Sequence, residues 1–350
     1  MSGSIGIGGR RVGPGGPVFI VAEMSANHNQ DFDEAAAIVR AAHEAGADAV
    51  KLQTYTPDTM TLRSDGAPFR VGEGTLWAGR NLHDLYAEAQ TPWAWHAPLR
   101  DLARELGMEL FSSPFDASAV AFLESLGMPA FKVASFELVD LPLLRLVART
   151  GKPVILSTGM ATREEVAEAV TTLREAGCRE LLLLKCTSAY PAPAAEMNLR
   201  TLPDLAATFG VPTGLSDHTL GIAVPVAAVA LGACLIEKHF TLSRARPGPD
   251  SAFSLEPGEF RAMVDAIRTA EAALGEVRYG ALGREATSLA FRRSLFVVSD
   301  LREGERFSGN NVRAIRPGHG LHPRHIEEIL GRAARHDVPR GTPLTWDLVV

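Results

Sequence analysis

Side chains able to hold a phosphate and a carboxylate follow most of the short apolar runs in this sequence. Lys51 and Lys132 lie in two such runs, and a lysine side chain supplies a point charge to an anion. Hydroxyl groups, which donate hydrogen bonds to anions, follow several of the other runs. One such residue alone is explained by turn formation or solubility, whereas a converging set predicts an anion site. The hydroxyl groups are those of Ser112, Ser113, Ser135, Ser157, Thr158, Thr187, Ser188 and Ser216.

Two histidines, His218 and His239, end consecutive predicted strands and are therefore expected to be neighbours. Neutral imidazoles are common ligands of divalent metals, and two of them leave coordination positions for a substrate oxygen and water. A pair of hydrogen-bonded structural histidines explains the same spacing equally well. The spacing alone leaves both interpretations open.

Two glutamates, Glu23 and Glu137, lie where predicted strands open towards the same mouth. Burial raises the pKa of a carboxyl group, and a carboxyl group with a pKa near neutrality can transfer protons. The alternative is a salt bridge to Lys51 or Lys132. The sequence is compatible with both roles.

The elements that must position these residues alternate between strands and helices. Short apolar runs predict the strands, and most of them are followed by a segment with helical periodicity. The predicted strands cover residues 18–22, 49–53, 109–112, 130–134, 153–156, 181–185, 213–215 and 234–238. The predicted helices cover residues 33–45, 93–106, 117–126, 141–150, 163–176, 223–231 and 257–274.

This alternation requires parallel pairing, because each helix returns the chain to the same end of the sheet. About eight such units predict a closed (β/α)8 TIM barrel with its helices outside. A doubly wound open sheet is the competing architecture. Polar residues at nearly every strand end favour the barrel, in which all the strand ends converge on one mouth.

The alternating pattern stops after the last helix, and the remaining residues predict a small second domain. We predict a flexible leader at residues 1–17, a barrel domain at 18–275, a linker at 276–291 and the small domain at 292–350. The leader is rich in Gly, Ser and Pro and lacks the apolar core of a signal peptide. A domain as small as the last one has little core of its own, so we expect it to pack on another surface.

The composition excludes several function classes. The chain has 350 residues and a formal net charge of -6, whereas a nucleic-acid surface needs a concentrated basic face. The three cysteines have no short paired spacing, which favours a reducing cytoplasm over a disulfide framework. No apolar run reaches the ~20 residues needed to cross a bilayer, so no membrane association is expected.

The ordered motifs of this chain resemble those of the sialic acid synthase family, and the resemblance runs from Phe19 to Leu348. The resemblance implies a TIM barrel followed by a C-terminal antifreeze-like (SAF, β-clip) domain. It also implies a domain-swapped homodimer in which each small domain caps the barrel of the partner. The motifs that carry it are AE (22–23), NHN (27–29), VKLQT (50–54), FSSPF (111–115), FKVAS (131–135) with Glu137, LSTGM (156–160), CTSAYP (186–191), GLSDHT (214–219), EKHF (237–240), GPD (248–250) and RPG (316–318).

Members of that family join phosphoenolpyruvate to an N-acetylated sugar aldehyde. The resemblance implies that His218 and His239 bind a divalent metal, with Mn²⁺ expected first and Mg²⁺ or Co²⁺ as alternatives. It implies that phosphoenolpyruvate is held by Lys51, Ser113, Lys132, Ser135, Ser157, Ser188 and Ser216. It implies that the sugar is contacted by Gln53, Tyr190, Asp250 and Arg316, with Arg316 arriving from the other subunit.

In this reaction we expect Glu137 to manage the proton at the sugar end, with Glu23 as the second choice. The resemblance also bears on the sugar. Ser25 and Ala26 stand where the neuraminate and legionaminate branches usually carry glycine and an aliphatic residue, and Ser188 stands where they tend to have asparagine. These departures favour a doubly acetamidated, deoxygenated hexose, namely 2,4-diacetamido-2,4,6-trideoxy-altropyranose.

Other functions remain as alternatives to this expectation. The sugar could be N-acetylmannosamine or a sugar derived from diacetamido-bacillosamine. A non-catalytic scaffold that retains the fold would bind a sugar without releasing phosphate. An ice-binding role for the small domain would rest on fold analogy alone, which says little about function.

Overall fold

The computed structural model describes residues 3–350, and the chain divides into two compact units, Met1–Gly275 and Glu276–Val350. In the first unit, eight parallel strands, β3 to β10, form a closed barrel in which each pairs with the next and β10 pairs with β3. The strands of this unit are β1 (Ile5–Ile7), β2 (Arg10–Val12), β3 (Phe19–Glu23), β4 (Ala49–Thr54), β5 (Glu109–Pro114), β6 (Phe131–Val133), β7 (Val154–Ser157), β8 (Leu181–Cys186), β9 (Thr213–Asp217) and β10 (Leu235–His239).

Helices follow the barrel strands and bury one apolar face each. In α6, for example, Leu143, Leu144 and Val147 are buried because they recur at helical spacing. The helices of this unit are α1 (Phe32–Glu44), α2 (Pro57–Met60), α3 (Leu82–Ala89), α4 (His96–Glu105), α5 (Ala117–Ser125), α6 (Leu141–Arg149), α7 (Arg163–Glu175), α8 (Thr201–Phe209), α9 (Ala223–Ala230) and α10 (Pro257–Leu274).

Local signals in the sequence explain where these helices begin and end. The side chain of Asp31 accepts hydrogen bonds from the backbone N–H groups of Asp33 and Glu34 and so caps the start of α1. Gly46 follows that helix with φ +91°, a left-handed conformation that glycine adopts without strain. An aspartate before the helix and a glycine after it therefore fix the limits of α1.

The closed barrel confirms the predicted architecture and excludes the open sheet. The eight observed strands coincide with the eight predicted ones to within a few residues at each end. The prediction omitted α8 and the two helices α2 and α3, which lie in the long connection between β4 and β5. Every helix in residues 3–350 is too short or too polar to span a bilayer.

The predicted flexible leader is wrong for residues 5–12, which form the antiparallel hairpin of β1 and β2. Ile5, Ile7 and Val12 are fully buried against the first residues of the barrel strands. The N–H of Gly6 donates to Glu180 Oε1 at 3.0 Å, directly before β8. In this glycine-rich segment, three apolar residues are too few to predict a strand, yet they cover the amino-terminal end of the barrel. Residues 1 and 2 of the predicted leader lie outside the described residues.

The second unit contains a small antiparallel sheet of β11 (Ser294–Val297) and β12 (Val312–Ile315) and one short helix, α11 (Ile326–Ile329). Leu295, Val297 and Phe307 form its core together with apolar residues near the C-terminus. A 3-10 helix, Gly283–Phe291, occupies most of the predicted linker.

Candidate active site

Strand alternation directs selected side chains of the last two barrel strands into the mouth. On β10, Glu237 and His239 share one face, while Lys238 between them points to the other face, because successive residues of a strand alternate. Lys238 pairs there with Asp217 of β9, and both side chains are fully buried. The neighbouring residues of the motifs GLSDHT and EKHF therefore lie in two different layers. Glu237 and His239 face the mouth, whereas Lys238 and Asp217 pair on the other face of the strands.

A compact cluster of charges fills the centre of the mouth. Lys51 Nζ lies 2.7 Å from Glu23 Oε2 and 3.7 Å from Glu237 Oε1, and it donates to Ser113 Oγ at 3.2 Å. Lys132 Nζ lies 3.9 Å from Glu237 Oε1. The salt bridge to Lys51, which the sequence left open as an alternative role for Glu23, is therefore present. The two lysines come from β4 and β6, the strands on either side of β5, and converge on Glu237, as an anion site requires.

Burial and the lysine charges move the pKa values of this cluster in different directions. Burial raises the pKa of Glu23, and the neighbouring Lys51 only partly opposes this effect. Burial alone would also raise the pKa of Glu237, but the charges of Lys132 and Lys51 outweigh it and hold that pKa below its usual value. Burial lowers the pKa of Lys132. Glu237 is thus the ionised carboxylate that balances the lysines.

Serine hydroxyls at the ends of β6, β7, β8 and β9 surround this cluster. Ser216 Oγ donates to Glu237 Oε1 at 3.0 Å, and Ser135 Oγ accepts from the N–H of Gly159 at 3.1 Å. Ser157 Oγ is buried and has no hydrogen-bond partner among the described residues. A Cβ atom at Gly159 would stand 2.4 Å from Ser188 Oγ and 2.7 Å from Ser135 Oγ. Glycine at that position therefore permits the two hydroxyls to share one cradle.

The two histidines are neighbours, with ring centroids 5.2 Å apart. His218 Nδ1 lies 3.1 Å from the carbonyl oxygen of Thr187, so this nitrogen donates to it, and in the neutral ring Nε2 is the nitrogen with a free lone pair. His239 Nδ1 is buried without a hydrogen-bond partner among the described residues, and burial holds the pKa of His239 well below its usual value. The described residues contain no group of three or more His, Cys, Asp or Glu side chains arranged to hold a metal ion.

A cavity of about 570 Å³ opens beside the charged cluster and the histidines. Gln53 lies at its polar edge, where Nε2 donates to Glu23 Oε1 and to Ser25 Oγ, both at 2.9 Å. Ser25 in turn donates to Asp250, which also lines the cavity. Tyr190 packs against His218 with ring centroids 4.5 Å apart. Three of the four residues predicted to contact a sugar therefore lie together.

Glu137 lines the same cavity and lies on the 3-10 helix Ser135–Val139 that follows β6. Burial raises its pKa to about 7, and its Oε2 atom has no hydrogen-bond partner among the described residues. No described carboxylate–lysine pair involves it, in contrast to Glu23. The structure therefore separates the two glutamates, for which the sequence allowed the same pair of roles.

The fourth predicted sugar residue, Arg316, belongs to the second unit. It directly follows β12 and its side chain is exposed. Two residues that line or fill the site were not assigned a role from the sequence. Glu237 was visible as a strand-end residue, but its central position depends on the closure of the barrel. Trp77 lies in an irregular connection for which the sequence offers no periodic signal.

Buried lysines, glutamates and histidines at the carboxyl end of a (β/α)8 barrel define the chain as a barrel enzyme with its active site in the strand-end mouth. The chain belongs to the NeuB family: the model of that family matches residues 38–279, and the model of the SAF domain matches residues 292–350. These matches confirm the resemblance noted from the motifs.

Relatives from several bacteria match most of the chain. A pseudaminic acid synthase of Helicobacter pylori is 48% identical over 95% of this chain and 97% of its own length. A pseudaminic acid synthase of Campylobacter jejuni is 45% identical over 93% of this chain and 95% of its own length. The solved structure of an N-acetylneuraminic acid synthetase from Leptospira borgpetersenii in complex with citrate is 29% identical, with a TM-score of 0.73 over 83% of this chain and 96% of that one.

Proposed function

We propose that this chain catalyses the pseudaminic acid synthase reaction, in which phosphoenolpyruvate, 2,4-diacetamido-2,4,6-trideoxy-altropyranose and water give pseudaminic acid and phosphate. The convergence of Lys51 and Lys132 on one point, encircled by serine hydroxyls, is the observation that carries the reaction class. The choice of sugar is supported by the names of the relatives at 45% and 48% identity and by Ser25, Ala26 and Ser188.

Phosphoenolpyruvate would lie on the charged cluster. Its phosphate and carboxylate are anions, and buried lysines with hydroxyl donors bind anions strongly because water is excluded. The binding set that we propose is Lys51, Ser113, Lys132, Ser135, Ser157, Ser188 and Ser216. The open-chain sugar would lie in the adjoining cavity, in contact with Gln53, Tyr190 and Asp250.

The reaction forms one carbon–carbon bond and one carbon–oxygen bond to the oxygen of water, and it breaks the carbon–oxygen bond to phosphate. The methylene carbon of phosphoenolpyruvate attacks the aldehyde carbon of the sugar, whose oxygen takes up a proton and becomes a hydroxyl group. The oxygen of water adds to the second carbon of the phosphoenolpyruvate unit and loses a proton. The resulting tetrahedral carbon expels inorganic phosphate and becomes a ketone. Holding the two substrates in register supplies a large part of the rate advantage.

The two glutamates fit separate proton tasks in this sequence. Glu137 has a pKa of about 7 and lines the sugar cavity, so it can give its proton to the forming hydroxyl group. Glu23 lies 2.7 Å from Lys51 and hydrogen-bonds to Gln53, which suits a group that positions water or substrate. Glu137 is therefore our candidate acid and Glu23 the second proton-transfer candidate.

A substrate panel tests the proposed reaction. Parallel reactions contain the chain, phosphoenolpyruvate and one of three sugars. The sugars are 2,4-diacetamido-2,4,6-trideoxy-altropyranose, N-acetylmannosamine and the legionaminate precursor. We expect phosphate release at least tenfold faster with the first sugar, and a product whose mass equals the sum of both substrates and water minus phosphoric acid. Faster release with either of the other sugars would replace the proposed substrate, and binding without release would identify a scaffold.

We propose that His218 and His239 hold a divalent ion, with Mn²⁺ expected and Mg²⁺ or Co²⁺ as alternatives. The free Nε2 of His218 and the unpartnered Nδ1 of His239 are donors of the kind such ions accept. When bound, the ion would act as a Lewis acid on the aldehyde. We expect chelation to lower turnover at least tenfold and added Mn²⁺ to restore it. His218→Ala should weaken Mn²⁺ binding at least tenfold in calorimetry, and unchanged binding would remove the pair from this role.

We propose that the active form is a domain-swapped homodimer in which Arg316 of each small domain serves the site of the partner. The rim of the barrel mouth exposes Phe136, Met160 and Leu220, which are large apolar side chains of the kind that protein contacts cover. Mixing Arg316→Ala chains with Lys132→Ala chains should restore up to a quarter of the wild-type activity. Absence of recovery in verified mixed dimers would contradict the swap.

A further inference from the structure

The connection between β4 and β5 forms one wall of the sugar cavity, and this wall is largely apolar. The remainder of the lining includes the polar residues Gln53, Glu137, His239 and Asp250. The wall itself contains no charged side chain, and its polar side-chain atoms are the hydroxyl groups of Tyr55, Thr59, Thr75 and Tyr86 and the indole N–H of Trp77. Its apolar surface comes from Met60, Val71, Trp77, Leu82 and Leu85.

Trp77 is the largest side chain of this wall and is held from two sides. Its indole Nε1 donates to the carbonyl oxygen of Pro249 at 2.8 Å, directly before Asp250. Its ring lies 5.5 Å from the ring of Tyr190, centroid to centroid. The loop that carries it is closed by a hydrogen bond from the N–H of Val71 to the carbonyl of Arg80 at 2.9 Å. Trp77 therefore has a defined position beside Tyr190 and Asp250, two of the side chains that we propose contact the sugar.

The chemistry of this wall favours methyl groups over hydroxyl groups. The free energy of a methyl group falls when it leaves water for an apolar surface. A hydroxyl group on the same surface loses its hydrogen bonds to water and finds few replacements there. We infer that Trp77, with the apolar side chains around it, selects a sugar that presents a methyl group at C6, that is, a sugar deoxygenated at this carbon. This inference rests on the proposed function and names the feature of the sugar that the site reads.

The test compares the 2,4-diacetamido-2,4,6-trideoxy sugar with its analogue that carries a hydroxyl group on C6. For Trp77→Ala we expect kcat/KM for the first sugar to fall by about 10- to 100-fold, the range that a few apolar contacts supply. The analogue, assayed as substrate or as competitor, should change less than threefold, because its hydroxyl group gains little from the wall. The KM for phosphoenolpyruvate should stay within twofold.

Two further variants separate specificity from folding. Trp77→Phe keeps an aromatic surface without the indole donor and should retain most of the preference. Leu76→Ala alters the exposed neighbour, which does not line the cavity, and should leave both sugars unchanged. Equal losses for both sugars in Trp77→Ala, or an unchanged preference, would overturn the specificity role while the wild-type reaction stands. Failure of the wild-type chain to use the first sugar would instead refute the proposed function, and this inference with it.

Discussion

Glu137→Gln should lower kcat by about 10²- to 10⁴-fold, the usual contribution of a positioned acid or base. Glutamine preserves the shape of the side chain and its contacts, but it has no proton to give to the forming hydroxyl group. The KM for phosphoenolpyruvate should change little, because Glu137 lines the sugar cavity rather than the lysine cluster. Steady-state kinetics with phosphate detection measures both quantities.

The pH dependence provides a second readout of the same group. Burial raises the pKa of Glu137 to about 7, so the protonated form that serves as an acid is present below pH 7 and is lost above it. The wild-type rate should therefore decline as the pH rises through about 7. This decline should be absent from the residual activity of Glu137→Gln. A rate that instead declines as the pH falls through 7 would identify Glu137 as a base.

At alkaline pH, Glu137→Gln should raise the stability of the protein although it lowers the activity. A carboxyl group whose folded pKa lies above its unfolded value binds more protons in the folded state, so it costs stability as the pH rises from about 4.5 through 7. Above pH 7 this cost is about 3 kcal/mol, and glutamine removes it. Glu137→Gln should therefore resist urea better than the wild type at pH 8 and match it near pH 4.5.

A matched substitution controls for loss of charge. Glu124→Gln makes the same chemical change at an exposed position of α5 and should alter neither turnover nor the pH profile. Near-normal turnover of Glu137→Gln under the same conditions would refute the proton role and transfer it to Glu23.

The sequence could predict the barrel and most of its mouth because both depend on short-range patterns. Each barrel strand is a short apolar run, and parallel strands in a closed barrel bring their carboxyl ends to one place. Once the strands were placed, Lys51, Lys132 and Ser216 had to converge. The observed contacts of Lys51 and Lys132 with Glu237 follow from that geometry.

Features that depend on long-range packing could not be predicted in the same way. The hairpin of β1 and β2 has only three buried apolar residues in a glycine-rich segment, so its pattern resembles a loop. The apolar wall around Trp77 comes from a connection with little regular structure. The pKa of Glu137 depends on its burial, whereas Glu23 is paired with Lys51, and no spacing in the sequence distinguishes the two.

Lys238→Met should destabilise the barrel unit by about 3–5 kcal/mol, because it leaves the fully buried carboxylate of Asp217 without its cation. Lys238 also donates to the carbonyl oxygen of Thr219, and Asp217 accepts from the N–H and the hydroxyl group of Thr219 at 3.1 and 3.0 Å. This network holds the backbone on both sides of His218. Urea unfolding followed by circular dichroism measures the loss.

Removing one partner of the buried Lys238–Asp217 pair costs more free energy of unfolding than removing one partner of an exposed ion pair. Replacing both partners by apolar residues, Asp217→Leu with Lys238→Met, removes the unpaired buried charge and should recover part of the lost stability. Arg244→Met breaks the exposed pair with Glu259 and should cost less than about 1 kcal/mol.

The loop that carries His218 links this stability to function. Because Asp217 and Thr219 flank the histidine, loss of the network should also weaken Mn²⁺ binding in the Lys238→Met protein at temperatures where it remains folded. The Arg244→Met protein should bind Mn²⁺ as the wild type does. If Lys238→Met cost no more than the surface variant, the buried pair would have no special role in holding the mouth together.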